Sequence, residues 1–188
     1  MEIEQINNII NLLGKFKDLK RSGWLQNNVK LPESDADHSF GVAFLVVMLA
    51  PKGLDKLKCL ELALIHDVAE IYTGDFTPFD DISKDEKHQL EDNAASRIAT
   101  EIGWVKLCEL LKEYNDKSSK EAVFVGLIDK LETAMTSCYY DKNKRSYRVL
   151  SNEFVAYAKR HIKKHNDVYV EKIHNIINAL DAEANLPS

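Results

Sequence analysis

Two imidazoles and two carboxylates stand far apart in this chain: His38, the adjacent pair His66 and Asp67, and Asp129. Each falls where a helix is readable. Imidazole nitrogen and carboxylate oxygen together suit a divalent metal better than any other partner. If the four converge they build one metal site, and such a site points to hydrolysis. Asp129 lies in the apolar run GLIDKLETAM, where a carboxylate is costly to bury without a cation beside it. A metal ion would be that cation. Singly, none of the four is informative: a lone His among apolar neighbours is ordinary core, and an Asp beside a Lys is an ordinary surface pair. The signal is the set, with its order and its helical placement.

The elements that must position these groups are helices. Apolar residues recur at helical spacing nearly everywhere, and sustained strand-like alternation is missing. Ile3, Ile6, Ile10 and Leu13 make one face of a first helix, with Gly14 near its end, and Arg21 to Pro32 reads as irregular. Ser34 with Asp37 resembles a capping box, opening a helix from about Ala36 to Leu49 that Pro51 and Gly53 end. Asp55 caps a helix through His66 to about Ile71. Residues Thr73 to Asp81 read as a loop around Gly74. Ser83 with Glu86 opens a helix ending before Gly103, and a short one covers Val105 to Glu113. Ser118 with Glu121 opens the helix carrying Asp129, which runs to about Tyr140. Two more run from about Ser151 to Lys163 and Val168 to Asp181. The expected architecture is all-α, a single domain over residues 1–188 with seven or eight helices. On the helix through the HD pair, adjacent residues point about 100° apart, so His66 and Asp67 grip a metal only from the rim of a face, and other helices must supply the remaining ligands.

Composition narrows the function classes. The chain has 188 residues, 45% hydrophobic and 29% charged, enough for a real core without disulfides. Cys59, Cys108 and Cys138 are odd in number, widely spaced and set in apolar patterns, so they read as reduced core thiols of a cytoplasmic protein. The N-terminal stretch has no signal-peptide pattern, and no run approaches the ~20 apolar residues of a membrane span. A net charge of −5 disfavours nucleic-acid polymers as partners but leaves an anionic small molecule open, because a pocket can be locally positive.

Three stretches carry a family resemblance: LKRSGWLQNNVKLPESDADHSF, ALIHDVAEIYTGDFTP and LIDKLETAM. With the order H…HD…D they resemble the HD-domain superfamily of metal-dependent phosphohydrolases. Within it they are most similar to the HD-domain 5′-deoxynucleotidases, both the bacterial YfbR-like enzymes and the eukaryotic HD-domain-containing protein 2. The likeness spans about residues 15–140. It implies that His38, His66, Asp67 and Asp129 bind one divalent ion, Co²⁺, Mn²⁺, Mg²⁺ or Zn²⁺. Relatives with more metals carry extra histidines between the HD pair and the last Asp. Only His88 lies there, in the charged run DEKHQLED, and it reads as solvated. His161, His165 and His174 read as surface.

The resemblance also implies catalytic duties for Glu70 and Asp75, as general acid or base, without deciding which does which. Glu70 follows His66 by four residues and so shares its helix face. Arg21 would hold the 5′-phosphate, since a guanidinium can grip it bidentately. Trp24, Asp75, Thr77 and Pro78 fall where the family lines its substrate pocket. Trp24 stands two residues further from the arginine than in the bacterial enzymes and reads equally as core. The expected activity is hydrolysis of (deoxy)nucleoside 5′-monophosphates. Two rivals stay open: a phosphohydrolase for another nucleotide ester, and a metal-stabilised nucleotide-binding module without turnover. The family commonly forms homodimers. Phe154, Val155, Ile173, Ile176, Ile177 and Leu180 could pack across such an interface or within one subunit.

Overall fold

A computed structural model describes residues 1–77, 82–167 and 170–184. Among these residues there are ten helices and no strand. They are α1 (Ile3–Asp18), α2 (Ser22–Gln26), α3 (Asp35–Leu49), α4 (Lys56–Ile65), α5 (Glu70–Thr73), α6 (Lys84–Ile102), α7 (Lys106–Asp116), α8 (Lys120–Lys142), α9 (Ser151–Ile162) and α10 (Glu171–Ala184). All but α2 and α5 have ten residues or more, which matches the all-α expectation of seven or eight helices. None is long and apolar enough to cross a membrane.

Caps set the boundaries. Ser34 accepts from the Asp37 N–H, and Asp37 accepts in return from the Ser34 N–H, so a reciprocal box starts α3. Asp55 caps α4 through the Lys58 N–H, and Ser83 caps α6 through the Glu86 N–H. The cap of α8 is Ser119, bonded to the Ala122 N–H, and not Ser118. Glu121, the expected partner in that box, turns inward and accepts from the Asp55 N–H at 3.0 Å. Gly14 does not end α1, which continues for another turn to Asp18.

Helix α8 is the axis of the bundle, packing against α3, α4, α7, α9 and α10. Its buried residues lie all round it, as expected of a central helix. Phe124, Ile128 and Leu131 meet Val42 and Val46 of α3, Leu62 of α4, and Ile173 and Ile177 of α10 in one core. Val155, Ile173 and Ile177 are buried inside the chain, so the C-terminal helices spend their apolar faces internally. Helix α1 turns its apolar stripe the other way. Ile3, Ile6, Ile10 and Leu13 do share a face, but that face is exposed. The inward side carries Leu12 and Phe16.

The segment from Arg21 to Pro32, read as irregular, is pinned at both ends. Lys20 bridges Ser34 antiparallel, and the Asp35 N–H donates to Leu19 O at 3.0 Å. Helix α2 lies inside this loop. It plants Trp24 in a second core with Val29, Tyr140 and Leu150, and Phe154 packs against it. The loop therefore holds Arg21 beside the start of α3. Replacing Ser34 with Ala removes a buried cap and should cost about 1 kcal/mol of stability. Urea unfolding would show it, and an unchanged midpoint would count against this account of α3.

Candidate metal centre and cavity

His38 lies one turn into α3 and Asp129 lies in the middle of α8, as their sequence contexts indicate. The HD pair is placed differently from the expectation of one continuous helix. Helix α4 stops at Ile65, and His66 is its C-cap residue. Beyond it the backbone tightens: the Val68 N–H bonds to Ile65 O, and the Glu70 N–H to Asp67 O at 3.0 Å. Such three-residue spacing stacks side chains i and i+3 on one side. Asp67 and Glu70 are thereby brought to the same side by a tight turn between α4 and α5.

The four side chains converge. His38 Nε2 lies 3.2 Å from Asp129 Oδ1 and 3.8 Å from Asp67 Oδ2, and His66 Nε2 lies 3.2 Å from Asp67 Oδ2. His38, His66 and Asp129 each offer a ligand atom within 4.8 Å of the others. On the far side of each ring, His66 Nδ1 faces Ala63 O at 2.9 Å and His38 Nδ1 faces Glu132 Oε2 at 2.6 Å. With the proton on Nδ1, both Nε2 lone pairs point into the shared space. Both Nε2 atoms are buried and have no hydrogen-bond partner. Two orphaned nitrogens facing two carboxylates are a donor set that fits a divalent cation.

The electrostatics agree. Burial and the Arg21 charge oppose protonation of His38, but Glu132 and Asp129 outweigh them and push it up to about 10. Burial acts against the charge of Asp67, yet His66 and Arg21 hold this carboxyl well below the usual range. Asp129 is likewise held low against burial, by Lys130 and His38. Burial, then the charges of Asp67 and Asp75, push Glu70 well above the usual range. The same causes in the same order raise Asp35 to about 7. Both oxygens of Asp35 and Oε2 of Glu70 are buried without partners. Buried carboxyl oxygens without partners thus stand beside the charged Asp67 and Asp129.

A cavity of about 820 Å³ opens beside these groups, within the range that holds small ligands. Arg21, His66, Asp67, Glu70, Asp75, Thr77 and Asp129 line it. Arg21 Nη1 donates to Asp67 Oδ2 at 3.1 Å, and Asp75 Oδ2 accepts from the Ser22 N–H at 2.5 Å. Trp24 borders the cavity but is only 1% exposed. Its ring packs on Tyr140 and Phe154, and its N–H donates to Glu33 Oε1 at 2.8 Å. That makes Trp24 a structural plug first. Pro78 lies outside the described residues. His88 is exposed on α6 yet lines the outer cavity, and His174 Nε2 lies 2.7 Å from His165 O.

Several site groups escaped the sequence reading. Asp35 precedes His38 by three residues, and Glu132 follows Asp129 by three. On a helix that spacing shares a face, so both were within reach of the reading. Tyr114 donates its hydroxyl to Asp129 Oδ2 at 3.1 Å and comes from α7, which no local pattern links to Asp129.

The raised groups predict how the metal-free protein responds to pH. His38 moves from 6.5 unfolded to about 10 folded. Its stabilising contribution is complete below the first value and is lost as pH rises to the second. Asp35, moving from 3.8 to about 7, loses its contribution across that window in the same direction. Chelated protein should therefore lose stability as pH rises from about 6.5 to about 10. Added Mn²⁺ or Co²⁺ should restore more of it at higher pH, because binding displaces protons. Thermal unfolding with chelator and with cation tests both. Stability that rises across this window in chelator, or ignores the cation, contradicts the site.

The HD-domain family profile matches residues 13–169. The protein 5′-deoxynucleotidase HDDC2 of Dictyostelium discoideum is 40% identical over 143 residues, covering 70% of this chain and 75% of that protein. The protein 5′-deoxynucleotidase hdd1 of Schizosaccharomyces pombe is 34% identical over 149 residues, covering 76% and 75%. A crystal structure of a Pyrococcus horikoshii protein superposes with a TM-score of 0.76 at 31% identity, covering 94% of this chain and 98% of that one. Similarity of this extent, in sequence and in fold, means that the chain belongs to the HD-domain family.

Proposed function

We propose that this protein is a metal-dependent phosphomonoesterase that hydrolyses (deoxy)nucleoside 5′-monophosphates to nucleoside and phosphate. The observation that carries the reading is the convergence of His38, His66, Asp67 and Asp129 beside one cavity that Arg21, Glu70 and Asp75 also line. The names of the relatives, 5′-deoxynucleotidases, support the substrate class. The four metal-type side chains would hold one divalent cation, whose chemistry when bound is to acidify a water and polarise a phosphoryl oxygen.

The remaining roles belong to the chain itself. Arg21, already within hydrogen-bond distance of Asp67, offers its other donors to the phosphate. Water adds to phosphorus as the bond from phosphorus to the 5′-oxygen breaks. The departing 5′-oxygen needs a proton. Glu70 suits that task, because burial beside Asp67 and Asp75 raises its carboxyl well above the usual range and so favours the protonated form. Asp75 fixes the loop after α5 to the Arg21 loop through the Ser22 N–H. It positions substrate from there.

Purified protein should release phosphate from dAMP with Co²⁺, Mn²⁺ or Mg²⁺, and His66→Ala should abolish the release. Phosphate release from none of the 5′-nucleotides tested would sink the reading. Glu70→Gln should lower kcat on dAMP by about 10²-fold or more, the usual range for general-acid loss. Its loss on p-nitrophenyl phosphate, whose leaving group needs no proton, should be much smaller. Equal losses on both would remove Glu70 from the acid role.

The homodimer belongs to this reading as well, on a different surface from the C-terminal helices. Exposed Ile6, Ile10 and Leu13 of α1 lie on a helix that packs on α3, whose Phe40, Phe44, Val47 and Met48 are also exposed. Exposed apolar residues in such number on two packed helices favour a self-partner. Light scattering should give a dimer for the native chain and a monomer for Phe44→Glu. A monomeric native chain overturns this part.

A further inference from the structure

Two local irregularities meet on the cavity wall. Lys117, just past α7, has a φ of 49°, the left-handed conformation that helix ends usually give to glycine or asparagine. Gly126 sits inside α8, where glycine weakens a helix relative to alanine. Each is locally unfavourable, and they touch. A Cβ built at Gly126 would lie 2.8 Å from Lys117 Cε and 3.1 Å from its Nζ. The glycine is a notch across which the lysine passes.

The notch delivers a cation to a definite place. Lys117 Nζ lies 3.1 Å from the centre of the Tyr114 ring, and the Tyr114 hydroxyl is bonded to Asp129. Lys117 lines the same cavity as Arg21, Glu70 and Asp75. Its neighbours Lys130 and Lys87 are each paired with a carboxylate, Asp129 and Glu91. Lys117 meets an aromatic face, and among the described residues it forms no ion pair. Its donors remain available to a ligand, on the Tyr114 and Asp129 side of the cavity. Arg21 approaches from the Asp67 side.

We propose that Lys117 is a second phosphate-binding residue, its ammonium contacting the non-bridging oxygens of a phosphomonoester dianion, and that Gly126 exists to let it reach them. For the natural substrate this rests on the nucleotide reading above, whereas inorganic phosphate binding does not. The two irregularities in contact are explained together by this one task.

Two variants test it. Lys117→Asn removes the ammonium while keeping a residue suited to the left-handed helix end. Gly126→Ala keeps the lysine but displaces the end of its side chain, and should leave thermal stability equal or raised. In the metal-loaded protein both should weaken inorganic phosphate binding, measured by calorimetry, by about 10-fold or more, as expected for a lost charged hydrogen bond. KM for dAMP should rise in parallel, with divalent-cation affinity unchanged. Native phosphate affinity in either variant overturns the proposal, as does absence of phosphate binding by the native protein. If the native protein binds phosphate but hydrolyses no nucleotide, the nucleotidase reading fails and the phosphate titration still decides Lys117.

Discussion

Carboxyl groups crowd one end of the bundle. Asp35, Asp67, Glu70, Asp75 and Asp129 share a neighbourhood with Arg21 and Lys130, and several of their oxygens are buried without partners. Burying like charges together is among the costliest arrangements available to a fold. The rest of the chain has to hold these groups in place against that repulsion. The apolar bundle supplies the means. Helix α8 carries Asp129 and Glu132 on a rod buried all round, and α3 brings Asp35 and His38 to it with an N-terminus locked by Ser34 and Asp37.

Arg21 shows how far this support extends. It lies on a loop, where freedom would blunt the effect of its charge. The loop is closed by the pairing of Lys20 with Ser34 and plugged by Trp24 against Tyr140 and Phe154. The Glu33 N–H donates to the Tyr140 hydroxyl at 2.9 Å, which ties the loop to the far end of α8. A guanidinium on the cavity wall is thus anchored through residues more than a hundred positions away. Pre-organisation of this sort lowers the ordering cost of gripping an anion.

Much of this was readable before any coordinates. The grouping of the four metal-type residues, and the helices that carry His38 and Asp129, were legible because the chemistry needs those residue types and because helical spacing is a strong signal. The class of the fold and most caps were legible for the same reason. What escaped depended on tertiary contact. Trp24 reads equally as pocket or core until Tyr140 and Phe154 are seen around it. The stripe of Ile3, Ile6, Ile10 and Leu13 has the period of a core face, but a period does not say which side of a helix the bundle covers. The interruption after Ile65 leaves no trace in the sequence, since no glycine or proline marks it. The contact between Lys117 and Gly126 joins two helices, and neither residue alone suggests the other.

The interruption after Ile65 bears on how this chain can change over generations. In a three-residue repeat each position is rotated about 120° from the last. A residue gained or lost between His66 and Glu70 would swing Glu70 a third of a turn away from Asp67, with the overall bundle intact. An ordinary surface turn tolerates such length changes. This one would lose the placement of Glu70 beside Asp67, so it can vary by substitution but not in length.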